Sequence, residues 1–217
     1  MHAAFPPVLM ASLDGAGTFV FALSGGVLGV KKGFDLFGVL FLSWIVGVVG
    51  GITRDVLIGA VPPATIANWH DFAIAIGAGL LTFFVYPSVQ SLSRAVLVLD
   101  ALGLGLFAVT GAQKAISFGI NPVMVAVLGM ISGIGGGITR DVLAREVPFV
   151  LREDIYAVAA LAAGAIVSLG HGLELPPLGP MLLGAGVCIF LRMMAIFFGW
   201  RAPVAHWVKT PDRAVDR

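Results

Sequence analysis

Two arginine–aspartate pairs, Arg54-Asp55 and Arg140-Asp141, stand inside stretches that are otherwise apolar. Each belongs to the same seven-residue segment: Gly51-Ile52-Thr53-Arg54-Asp55-Val56-Leu57 in one place and Gly137-Ile138-Thr139-Arg140-Asp141-Val142-Leu143 in the other. A charge at the centre of a bilayer costs about 2.5–3.5 kcal/mol on insertion scales, so it persists there only when it is paired, hydrated or used. The chemistry these groups offer is electrostatic. They pair across helices, hold water in a low-dielectric interior, or attract a passing ion.

Offsetting the sequence against itself by 86 positions (137 − 51) superimposes the two segments without a gap. The same offset places Asp14 on Asp100, Gly25 on Gly111, Gly33 on Gly119 and Val61-Pro62 on Val147-Pro148. The chain is an internal duplication. Topology then supplies the arginines with partners: Asp14 enters the membrane from the side toward which the second span carries Arg54, and Asp100 stands in the same relation to Arg140. Asp55 and Asp141 directly follow their arginines and point about 100° away around a helix, so they either face a path or take a different partner. These charges act as structural locks, as gating elements, or as both.

Glycine runs precede both segments, Gly50-Gly51 in the first copy and Gly135-Gly136-Gly137 in the second. Each glycine weakens a helix by about 1 kcal/mol relative to alanine, which predicts a kink or an unwound turn. Irregular backbone at membrane depth must be buried in protein or line a wet cavity, where free carbonyls coordinate cations. The alternative is close helix packing through small residues. Ser24 and Thr110 occupy equivalent positions and are apt either for lining a polar path or for bonding to the preceding helical turn. Lys114 breaks the symmetry, because its counterpart is Leu28. It either snorkels to the surface or places a cation near Asp14 or Asp55 at the outer mouth, where it responds to voltage.

Positioning these residues requires membrane helices. The chain has 217 residues, 59% hydrophobic and 12% charged, and its mean hydropathy is positive. That composition belongs to an integral membrane protein. A spanning helix needs roughly 20 mainly apolar residues, and polar, Pro and Gly breaks give spans near 9–30, 36–58, 71–86, 95–117, 122–144, 154–170 and 178–199. The expected architecture is all-α: seven transmembrane helices, with repeat one at 9–86, repeat two at 95–170, an extra helix at 178–199 that packs peripherally, and a cytoplasmic tail at 200–217. Residues 1–217 form a single membrane domain. Three spans per repeat is an odd number, so the second copy enters from the opposite side and the repeats are inverted, a plan common among transport proteins. Lys31, Lys32, Arg94, Arg145, Arg152 and the basic tail fall on one side, which predicts a cytoplasmic carboxyl terminus and an outer amino terminus. The first hydrophobic run lacks a basic n-region before it and reads as a retained helix.

Several functions lose their basis. A net charge of +1 and the lack of a basic–aromatic cluster argue against nucleic acid. Cys188 is the single cysteine, so no intrachain disulfide forms. His2, His70, His171 and His206 lack ligand spacing, and no cofactor or resident metal is implied. Gly135-Gly136-Gly137 has no Gly-Lys-Ser/Thr ending and is not a phosphate loop. No Ser/His/Asp arrangement converges, so no enzymatic activity is expected.

The doubled Gly-Gly-Ile-Thr-Arg-Asp motif, the Asp14 and Asp100 positions and the three-plus-three-plus-one layout resemble the TRIC family, the trimeric intracellular cation channels, in its prokaryotic branch. The resemblance covers nearly the whole chain. It implies a symmetric homotrimer with one pore per protomer, built from the first, second, fourth and fifth spans and gated around glycine kinks at Gly50-Gly51 and Gly135-Gly136-Gly137. It further implies permeation by monovalent cations, chiefly K+ with Na+, and a setting of membrane lipid in a prokaryotic plasma membrane. A convincing equivalent of the animal branch's lipid-binding motif is not found. The rival expectation is a secondary transporter of a small solute such as glycine, for which inverted repeats are equally suited.

Overall fold

The computed structural model describes residues 6–85, 94–152 and 155–200. The expected tail beyond Trp200 and the connection at 86–93 lie outside the described residues. Within them the chain is all-helical: α1 (Pro7–Lys31), α2 (Leu36–Leu57), α3 (Ala64–Ala67), α4 (His70–Val85), α5 (Ala95–Ser117), α6 (Pro122–Leu143), α7 (Phe149–Arg152), α8 (Ile155–Gly172) and α9 (Leu178–Phe198). Six of these are long and apolar enough to cross a membrane, while α4, the third expected span, has 16 residues. At 1.5 Å per residue it reaches only about 24 Å. The four-residue helices α3 and α7 are too short to leave a periodic signal, and they fall where the sequence showed only connections.

Local chemistry sets the boundaries. Asp35 caps α2, its carboxylate accepting from Gly38 N at 2.8 Å, and Asn121 caps α6 with Pro122 in the first turn. Gly33 and Gly119 close α1 and α5 with φ of +73° and +70°, a region where a Cβ is strained. Backbone bonds repeat at the same offset: Phe34 N to Gly29 O matches Ile120 N to Ala115 O, and Ala60 N to Asp55 O matches Glu146 N to Asp141 O. The duplication extends to backbone geometry.

Helices α1, α2, α5 and α6 form the centre, with α4 against α1 and α2, and α8 against α5 and α6. Contacts between the copies come in exchanged pairs. Phe21 stacks on its counterpart Phe107 with ring centroids 5.5 Å apart. A Cβ on Gly50 would collide with the Ser132 carbonyl oxygen, and one on the equivalent Gly136 would sit 2.6 Å from the Val46 carbonyl oxygen. This corrects the expected unwound turn. Both α2 and α6 remain helical through their glycines, because the missing side chains serve close backbone approach, and the helical hydrogen bonds are kept where lipid or packed side chains offer no substitute.

α9 packs on α8 and α5 and carries a fully buried arginine, Arg192, into the interior. Large apolar side chains such as Phe37, Leu151, Leu182 and Phe198 cover the outer surface, as a lipid-facing protein requires. The molecule is an all-helical membrane protein.

Candidate functional site

Each copy buries its arginine among carboxylates. At one end of the core, Arg140 on α6 donates from Nη1 to Asp100 Oδ1 on α5 at 2.6 Å and from Nε to Asp141 Oδ1 at 2.8 Å. At the other end, Arg54 on α2 donates from Nη1 to Asp14 Oδ1 on α1 at 3.3 Å and from Nε to Asp55 Oδ1 at 2.8 Å. Neighbouring Arg–Asp pairs thus close on themselves, while the free guanidinium edge reaches to the preceding helix of the same repeat. One carboxylate oxygen remains on each following aspartate.

That oxygen caps the short helix after the motif. Asp55 Oδ2 accepts from Ala64 N at 3.0 Å, and Asp141 Oδ2 accepts from Phe149 N at 2.9 Å. The two donors are not equivalent by the 86-residue offset. The first copy has Pro63 where the second has Phe149, and proline has no N–H to give, so the donor passes to the next residue. Sequence reasoning missed this role, since α3 and α7 were not anticipated.

The two ends differ in their surroundings. Arg140, Asp100 and Asp141 are essentially sealed from solvent. Ser24, on α1 of the other copy, accepts a further bond from Arg140 Nη1 at 2.7 Å, and the Phe149 ring lies 5.1 Å from the guanidinium carbon. Beyond them Val27, Leu28, Val96 and Ala144, with Leu99 and Phe149, form an apolar layer, and Lys32 pairs with Glu146 at 2.7 Å across the loops. The Arg54 end is wet by comparison. Asp14 is 21% exposed and opens on a cavity of ≈ 400 Å³ lined by Pro7, Met10, Ala64, Gln113 and Lys114.

Lys114 Nζ stands 2.8 Å from the Asp55 carboxylate. Gln113 and Lys114 occupy the positions that Val27 and Leu28 fill at the sealed end, so one substituted turn of helix makes one end of the core polar and the other apolar. Thr110, the counterpart of Ser24, is fully buried, and its hydroxyl makes no hydrogen bond among the described residues. Gly50, Gly135 and Gly136 lie at the α2–α6 crossing, Gly51 is buried in ordinary contact distance of Arg54, Thr65 and Phe107, and Gly137 leaves room for the Tyr156 hydroxyl near Asp100.

Sequence reasoning also missed Arg192 and Tyr156. Arg192 lies in an apolar run on α9, and the same argument about intramembrane charge would have singled it out. Tyr156 carried no signal, because its relevance depends on which helix packs beside Asp100.

Paired, buried charges in a duplicated helical core define a class, the multi-pass membrane proteins built around intramembrane ion pairs. Within that class the chain belongs to the family described as Glycine transporter, which matches residues 11–87 and 97–172, one segment for each copy. It is 40% identical to a UPF0126 membrane protein of Deinococcus radiodurans over 93% of this chain and 90% of that one. It is 36% identical to the UPF0126 inner membrane protein YadS of Escherichia coli K12, over 90% and 96% of the two chains. Among solved structures, the TRIC trimeric intracellular cation channel orthologue from Rhodobacter sphaeroides superposes with a TM-score of 0.85 at 32% identity, over 88% of this chain and 99% of that one. A second, described by the conductance of TRIC cation channels, gives 0.81 at 33% identity over 90% and 96%. The likeness to TRIC channels read from the doubled motif therefore extends to the fold. Those neighbours are channels, not enzymes.

Proposed function

We propose that the protein is a cation channel, permeable to potassium, with one pore in each protomer of a homotrimer. The observation that carries this reading is the unequal pair of ends: a polar, open mouth at Asp14 and Lys114, and an apolar layer over the Arg140 cluster. Such an arrangement suits a conduit closed at one end. The path runs among α1, α2, α5 and α6, where Ser24, Thr110 and main-chain carbonyls replace part of an ion's water. The glycines Gly50, Gly51, Gly135, Gly136 and Gly137 allow α2 and α6 to shift against each other, and Asp14, Arg54, Asp55, Asp100, Arg140 and Asp141 hold the arrangement on either side of that shift. Lys114 repels cations at the open mouth and moves in response to voltage.

In this reading α4 completes a first group of three spans, α5, α6 and α8 form an inverted second group, and α9 is the seventh. The exchanged pairs of contacts between the copies support a two-fold axis in the membrane plane. The Asp100 end, with Lys31, Lys32 and Arg145 nearby, faces the cytoplasm, and the Asp14 end faces outward. The setting is the lipid of a prokaryotic plasma membrane. Purified protein fused into a planar bilayer with asymmetric potassium chloride tests the proposal: discrete openings reversing near the potassium equilibrium potential are expected.

A carrier for glycine is the second reading, favoured by the family's description and by the cavity between Asp14 and Lys114. Its carboxylate and ammonium suit the two ends of a zwitterion. Silent bilayers together with saturable glycine uptake into vesicles would replace the channel with this carrier.

A further inference from the structure

The sealed charge cluster has a brace that the open one lacks. Tyr156 on α8 is almost wholly buried, and its hydroxyl fills the space left by Gly137, where a Cβ would collide with it and would lie 3.0 Å from Asp100 Oδ1. Asp100 Oδ1, which binds Arg140, borders the same space, and the hydroxyl makes no hydrogen bond among the described residues. On the other face of the tyrosine ring, the guanidinium carbon of Arg192 lies 4.6 Å from the centroid. Arg192 itself is 0% exposed. A cation over an aromatic face, removed from water, is held by the ring quadrupole.

Among the described residues nothing equivalent exists at the Arg54 end. The position matching Tyr156 is His70, which stacks on Trp69 with centroids 4.9 Å apart. A Cβ on Gly51 would meet nothing closer than 3.7 Å. α9 follows the duplicated part of the chain and packs chiefly on its second half among the described residues, through α5 and α8. The helix outside the repeats is thus joined to one of the two charge clusters.

We propose that Arg192 is a positioning residue for the sealed end. Standing over the Tyr156 ring, it keeps the phenol against Asp100, and through Asp100 it keeps Arg140 in place beneath the apolar layer. α9 is then the element that sets how readily this end opens. The proposal rests on reading that layer as the closed end of a conduit, and its test does not depend on conduction.

The test uses the full chain in lipid vesicles, with Cys188→Ala removing the native thiol and Leu28→Cys placing one in the apolar layer. The rate of modification by a small, charged methanethiosulfonate reagent is measured in this background and after adding Arg192→Met, Arg192→Lys or Tyr156→Phe. Arg192→Met keeps length without charge, and Tyr156→Phe keeps the ring without the hydroxyl. Both are expected to speed modification by about tenfold, in the range typical of coupling between sites. Arg192→Lys, which retains a cation over the ring, is expected to fall between them and the parent. Unchanged rates in both, or acceleration in one alone, overturn the relay. If Arg192→Met does not fold, Tyr156→Phe and Arg192→Lys decide it by the same rate. Absence of potassium currents in the wild-type protein would count against the channel and leave this measurement intact.

Discussion

Arg140 reaches from the second copy to Ser24 of the first, Nη1 to Oγ at 2.7 Å, while the equivalent hydroxyl of Thr110 makes no bond to Arg54. One repeat thus locks its arginine through the other, and the reciprocal lock is open. The buried Arg140 gains a neutral acceptor in addition to Asp100 and Asp141, whereas Arg54 has, besides Asp55, only a longer contact to a carboxylate that is partly in water among the described residues.

Ser24→Ala is therefore expected to cost about 1.5–3 kcal/mol, the usual loss for a hydrogen bond to a charged group. Thr110→Ala removes a buried hydroxyl without a partner and is expected to be neutral or slightly stabilising. Thermal unfolding of the two variants in the same detergent checks the difference, and equal losses would contradict the asymmetry.

At the α2–α6 crossing, Gly50→Ala or Gly136→Ala sets a methyl group against a carbonyl oxygen of the facing helix. Both should lower the yield of folded protein sharply, with a destabilisation of about 1–3 kcal/mol or more from overpacking. Gly77→Ala on α4 meets nothing within 4 Å and should be tolerated, since alanine favours a helix by about 1 kcal/mol. Gel filtration of the three variants separates a packing role from helix propensity alone.

Lys114→Gln removes the cation 2.8 Å from the Asp55 carboxylate, beside the cavity at Asp14. Cation current should rise at low salt and rise less at 1 M, where the screening length falls to about 3 Å. Single-channel recordings at the two salt concentrations test this, and a gain independent of salt would place the effect in packing.

Much of the fold was legible because its signals are local or periodic. Long apolar runs gave the positions of α1, α2, α5, α6, α8 and α9 to within a few residues. The short helices α3 and α7 were not legible. Their stability comes from capping by Asp55 and Asp141, and a carboxylate separated from its N–H by eight or nine residues leaves no period to read.

The candidate site divides along the same line. The duplicated charges, their placement at membrane depth and the aspartates available to each arginine follow from the sequence, because burying a charge in an apolar run demands a partner whatever the fold. The amino-acid order also states that Lys114 faces Leu28 across the duplication. It does not state which side chains fill the space around each pair. Tertiary packing decided that Ser24 serves Arg140 while Thr110 is left alone, that the glycines hold two intact helices in contact, and that Arg192 of the unduplicated α9 stands over Tyr156. These contacts join residues far apart in the chain, and their geometry depends on how six long helices pack together, which no single segment encodes.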